Sequence, residues 1–166
     1  MLVKKMTKSR VLLLTPPRYG KKPTEREECC FGEVDTVEFP CHLVSVAGAI
    51  REYTDTIVFD ANAENKGFED IEKRIIELKP EFVIYSILTF YDDYEAKVAE
   101  ICKKHNVKCI GMPCPMGYAK DMTKYPFYFV TTTEPEKSFI DFFKGTPVEK
   151  LKGIVYRKGN KIINTK

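Results

Sequence analysis

The residues best suited to chemistry in this chain are short polar clusters that follow apolar runs. Thr15-Pro16-Pro17-Arg18 follows Val11–Leu14, and Ser86-Ile87-Leu88-Thr89 closes the run that starts at Phe82. Gly111-Met112-Pro113-Cys114-Pro115 follows Val107–Ile110, and Thr131-Thr132-Thr133-Glu134 follows Phe127–Val130. Hydroxyls and unpaired backbone amides of this kind hold a polar ligand by hydrogen bonds, but they do not form an activated nucleophile without a neighbouring base. No G-x-G-x-x-G and no Walker A lysine loop occurs, which weakens dinucleotide and nucleoside-triphosphate readings. No Ser-His-Asp set is present. The paired acids and acceptor aspartate of a carboxylate phospho-acceptor site are missing from Thr15-Pro16-Pro17 and Ser86-Ile87-Leu88. The two histidines are His42 and His105. His105 sits near the end of an expected helix and reads as a surface residue. His42 stands beside Cys41 at an expected helix start, where it could serve as a ligand.

The six cysteines lack the spacing of a zinc ribbon or a thioredoxin pair. Cys102, on the apolar side of an expected helix, and Cys109, in an expected strand, read as inert core thiols. Cys29, Cys30, Cys41 and Cys114 fall in expected loops or at a helix start, and could meet at one edge of the fold as soft metal ligands.

These clusters need a scaffold that brings them together. Val11–Thr15 reads as a buried parallel strand stopped by Pro16 and Pro17, neither of which can donate to a ladder. A loop of more than about twenty residues follows, a length that is usually functional or disordered. A helix is expected from Cys41 to Tyr53, with Leu43, Val46, Ala47 and Ile50 on one face. Then come a strand over Thr56–Asp60, a helix over Gly67–Lys79 ended by Pro80, and a strand over Phe82–Ile87. A helix starting at Asp92 carries a capping-box pattern to Glu95, with Val98, Ile101 and Cys102 facing inward. Strands over Val107–Gly111 and Phe127–Thr131 follow. The last helix starts at Thr133, again with a capping-box pattern, here to Glu136. Gly153–Asn164, with its Gly159-Asn160 turn, reads as a β-hairpin.

The expected fold is α/β: a flavodoxin-like (Rossmann-like) doubly wound sheet of five parallel strands in the order 2-1-3-4-5, with a C-terminal β-hairpin. Right-handed crossovers place every strand-to-helix loop on the carboxyl edge, near the switch between the first and third strands. The expected organisation is a basic tail over residues 1–10, one domain over 11–150 and the hairpin over 151–166. The chain has 166 residues, 43% of them hydrophobic, and a net charge of +3. This supports one ordinary core and gives no reason to expect nucleic acid. No apolar run reaches membrane-spanning length, no signal-peptide pattern precedes Val11, and the expected location is cytoplasmic.

In their order, these pieces resemble the cobalamin-binding domain found at the amino end of many B12-dependent radical S-adenosylmethionine (SAM) enzymes. Thr15-Pro16-Pro17-Arg18 is similar to that family's Asn-Pro-Pro-like step, and Pro40–Ile50 to its proline followed by a Leu- and Ala-rich helix. Val58-Phe59-Asp60-Ala61, Lys79-Pro80-Glu81 and Ser86-Ile87-Leu88-Thr89 are similar to the strand ending in Asp, the Lys-Pro-acid step and the Ser/Thr-rich turn. Thr133-Glu134-Pro135-Glu136 is a loose match to a Gly-Glu-x-Glu helix start, and Gly153–Asn164 resembles the closing hairpin. Ser86-Ile87-Leu88 also matches the Ser-x-Leu element of the wider superfamily. The resemblance spans nearly the whole chain.

The resemblance implies a corrinoid over the carboxyl edge, with its nucleotide tail threaded toward Ser86 and Gly111. The implied contacts are Thr15, Pro16, Pro17, Arg18, Leu43, Ser86, Leu88, Thr89, Gly111, Met112, Pro113, Thr132, Thr133 and Glu134. The D-x-H-x-x-G cobalt-ligand motif is absent around His42, which argues against histidine ligation more than against cobalamin. Gly111-Met112 stands where Gly-Gly is usual, and Thr133 replaces the glycine of the last helix start. No C-x-x-x-C-x-x-C cluster loop is present. The resemblance therefore implies a cofactor-binding module working beside a radical SAM catalytic domain or subunit, with methyltransferase chemistry residing there. Two other readings stand beside it: a degenerate protein-interaction domain of the same fold, and a cysteine-dependent metal or redox protein.

Overall fold

The computed structural model describes residues 8–25, 33–88, 91–114 and 121–165. Strand β1 runs over Ser9–Thr15. Helix α1 covers Cys41–Ile50, β2 Thr54–Asp60, α2 Phe68–Leu78 and β3 Phe82–Leu88. The helix expected from Asp92 is interrupted at Ala96, giving α3 over Asp92–Glu95 and α4 over Lys97–Lys104. Strand β4 covers Lys108–Cys114, β5 Phe129–Thr131 and α5 Glu136–Phe143. The hairpin is β6, Ile154–Lys158, and β7, Lys161–Thr165.

All seven strands form one sheet in the order β2-β1-β3-β4-β5-β6-β7. The first five are parallel, and β6 and β7 continue the sheet antiparallel from β5. The expected five-stranded sheet with a hairpin is thus a seven-stranded mixed sheet. The hairpin covers the β5 edge, which would otherwise leave backbone groups unpaired.

Helices α1 and α5 cover one face of the sheet, α2 and α4 the other. Val11, Leu13, Ile84, Ile110 and Phe129 point toward α1 and α5; Leu12, Leu14, Val83 and Tyr85 point toward α2 and α4. Leu12, Leu13 and Leu14 are fully buried. Each such leucine contributes roughly 1.5–3 kcal/mol of burial, so β1 anchors both layers. No helix among the described residues is long and apolar enough to cross a membrane.

Both expected capping boxes are redirected by tertiary contacts. Glu136 accepts a hydrogen bond from Ser45 Oγ at 2.6 Å, tying α5 to α1, and α5 starts three residues after Thr133. Glu95 is buried, and its Oε2 accepts from the Leu88 amide at 2.8 Å. Strand β4 also runs past its expected end at Gly111. Its pairing with β3 continues to Cys114, while the β5 pairing stops at Gly111. Pro113 therefore lies where one side of β4 has no ladder from β5, a setting that tolerates a residue without an N–H.

Gly111 is buried because of packing. A Cβ there would lie 3.0 Å from the Phe127 ring. Gly111→Val is expected to cost about 1–3 kcal/mol through overpacking. Urea denaturation measures this, and an unchanged midpoint would show that Phe127 simply moves aside.

Candidate functional site

The carboxyl ends of β1 and β3, the inner pair at the topological switch, carry Thr15 and Ser86 on the α1 side of the sheet. They line a cavity whose far wall is His42 and Leu43 of α1. Thr24, Glu38, Pro40, Asp60 and Asn62 complete its lining. Its volume is about 10 Å³, room for about one water. Thr15 is 3% exposed, and its buried hydroxyl has no hydrogen-bond partner among the described residues. Leaving such a group unpaired costs about 1–3 kcal/mol.

The segment after β1 is fixed by specific contacts. Arg18 Nε donates to the Asn62 carbonyl at 2.8 Å, and Tyr94 Oη donates to the Arg18 carbonyl at 2.7 Å. The rings of Tyr19 and Tyr91 stack with centroids 4.1 Å apart, and Tyr94 meets Tyr19 edge-on. Further along the edge, Lys124 and Tyr125 reach α3. Burial opposes ionisation of Asp92, but hydrogen bonds from Lys124 and Tyr125 outweigh it and hold this carboxyl below its ordinary range. The Tyr125 hydroxyl is pushed up, first by burial and then by its hydrogen bond to Asp93.

The residues singled out in the sequence do not all meet. Thr15, Leu43 and Ser86 share the small cavity. Pro16 and Pro17 are buried beside it in the chain, and Arg18 reaches across to the loop after β2. Leu88 is fully buried at the end of β3. Met112 pairs with Ser86 in the ladder and packs in the α1–α5 core. Gly111 pairs with Tyr85 and faces Phe127, so Gly111 and Ser86 look to opposite faces of the sheet. Pro113 is buried within β4.

Thr132, Thr133 and Glu134 line a separate open groove of about 700 Å³, together with Ser138 and Lys152. Of the proposed thiol ligands, Cys41 is exposed at the start of α1 and Cys114 ends β4. Cys29, Cys30 and Thr89 lie outside the described residues. Among the described residues no group of three or more His, Cys, Asp or Glu side chains could hold a metal ion. Cys102 and Cys109 are both buried, and burial, then contact with Cys102, pushes the Cys109 thiol up. This is the opposite of what a reactive thiol needs.

The sequence carries no site signal at Thr24 or Glu95. Asn62 stands two residues past Asp60, where the second expected strand ends, and that strand-end position is its readable sign.

No protein-family model matches the chain, and no curated protein does. Among solved structures, the fold is similar to that of the apo, selenomethionine-labelled cobalamin-dependent S-adenosylmethionine radical enzyme OxsB, with a TM-score of 0.69 at 12% identity. The match covers 96% of this chain and 22% of that one, so the chain spans about a fifth of the enzyme it resembles. At this identity the likeness shows a shared α/β fold.

For a corrinoid, the donors fit and the space sets a condition. The Thr15 hydroxyl, which has no hydrogen-bond partner among the described residues, suits the polar end of such a ligand, whereas the Asn62 amide is already paired with Thr24. A cavity of about 10 Å³ admits nothing larger than water in this conformation.

Proposed function

We propose that this chain is a corrinoid-holding module that acts beside a radical SAM catalytic domain or subunit. The observation that carries the reading is the unpaired, buried Thr15 hydroxyl next to Ser86 at the switch point of a fold shared, along nearly the whole chain, with a cobalamin-dependent enzyme. Thr15, Leu43 and Ser86 would hold the buried polar end of the ligand, and Pro16, Pro17 and Arg18 would form one wall. When bound, the corrinoid would supply a cobalt centre able to carry a methyl group, so the chemistry is the cofactor's and the partner's. This chain's part is to position the ligand and keep water from it.

Anaerobic titration with hydroxocobalamin tests the proposal. A saturable spectral change with corrinoid retained through gel filtration is expected; no change and no retention at high concentration would overturn it. One observation favours a second reading, a domain of this fold that binds no ligand: Met112 is buried in the α1–α5 core beside Ser86, and the adjoining cavity is nearly closed. Co-purification with a radical SAM partner, without corrinoid, would support that reading.

A further inference from the structure

We infer that Asn62 is the latch of the small cavity: its side chain clamps Thr24 over the floor made by Thr15 and Ser86, and a ligand reaches that floor only when the clamp releases. This rests on the corrinoid reading. Asn62 Oδ1 accepts from the Thr24 amide at 2.8 Å, and Asn62 Nδ2 donates to the Thr24 carbonyl at 2.9 Å. Both bonds are buried, and Asn62 and Thr24 are 4% and 3% exposed. One primary amide thus closes on one main-chain N–H and C=O, copying a rung of a β-ladder.

The Asn amide carries its donor and its acceptor on two separate atoms, which matches one main-chain N–H and C=O; an ionised Asp accepts only. The backbone of Asn62 is itself held, because its carbonyl accepts from Arg18 Nε. Thr24 Oγ1 in turn accepts from the Tyr19 amide at 2.9 Å. The clamp therefore fixes one residue of the cavity's lining, and the Thr15 hydroxyl, without a partner among the described residues, lines the same cavity.

Each buried hydrogen bond shifts an opening equilibrium by a factor of roughly five to six, so the pair is worth about thirty-fold. A ligand that binds only the open form loses apparent affinity in proportion to the open fraction. The latch would then set the rate of uptake as well as its extent.

The test compares the unmodified chain with Asn62→Ala and Asn62→Asp. Hydrogen exchange at the Thr24 amide reads the clamp, and anaerobic stopped-flow mixing with hydroxocobalamin reads uptake. Asn62→Ala should speed both by about thirty-fold, and Asn62→Asp, which turns a second acceptor toward the Thr24 carbonyl, should also speed both. Asn62→Asp also carries the test if the alanine variant fails to fold. Unchanged exchange in the variants would overturn the latch. Faster exchange with unchanged uptake would overturn the gate and leave the corrinoid reading standing. No uptake by any of the three proteins would overturn the corrinoid reading and the gate with it.

Discussion

Glu95→Ala is expected to destabilise the chain by about 3–5 kcal/mol. Glu95 is 1% exposed, and Oε2 accepts the Leu88 amide at 2.8 Å in a region where Leu88 is itself fully buried. Removing the carboxylate strands that N–H without an acceptor, which costs about 1–3 kcal/mol, and the truncation leaves a cavity that adds to it. The Tyr85 hydroxyl donates to the Glu95 carbonyl at 3.0 Å, so the backbone at this point already braces β3 against α3. Glu95→Gln keeps an oxygen acceptor and should recover most of the loss. Urea denaturation of the three proteins decides it; a loss under about 1 kcal/mol in Glu95→Ala would show that water takes over the Leu88 amide. Because Leu88 lies two residues after Ser86, the same contact holds in place the strand end that carries the candidate ligand donor.

Thr15→Val is expected to move stability and binding in opposite directions. The hydroxyl is buried with no partner among the described residues, and valine has nearly the same shape without the polar group. The free chain should gain about 1 kcal/mol, a rise of roughly 2–4 °C in Tm for a chain of this size. Affinity for hydroxocobalamin should fall by about tenfold, because one hydrogen bond to the ligand is lost. Calorimetry and titration on the same preparations check both signs. A destabilised Thr15→Val would mean that the hydroxyl is satisfied in the free chain and does not wait for a ligand.

The strands were legible where apolar runs are long. Val11–Leu14 and Phe82–Leu88 have the continuous hydrophobicity of strands covered on both faces, and Pro16-Pro17 marks where β1 stops. The hairpin was legible from Gly159-Asn160, but its attachment to β5 was not, because pairing with a three-residue strand depends on tertiary contacts. Pro113 hid the end of β4 for a similar reason, since a proline is tolerated where a neighbouring ladder has already stopped.

The capping boxes at Asp92 and Thr133 misled because Glu95 and Glu136 found partners far along the chain or in another layer, and local pattern carries no record of those. The candidate site was half legible. Thr15 and Ser86 follow from strand ends and crossover handedness, which fix one edge of the sheet. The separation of Thr132, Thr133 and Glu134 into another groove, and the opposite facing of Gly111 and Ser86, depend on register. The Asn62–Thr24 clamp joins residues 38 apart by side-chain hydrogen bonds, which no periodicity announces.

The central claim is that this fold holds a corrinoid. The most direct measurement is the cobalt-to-protein ratio after anaerobic incubation with excess hydroxocobalamin and gel filtration. The account predicts a ratio near one, reduced in Thr15→Val. A ratio near zero for the unmodified chain, at concentrations where it is folded, would contradict it.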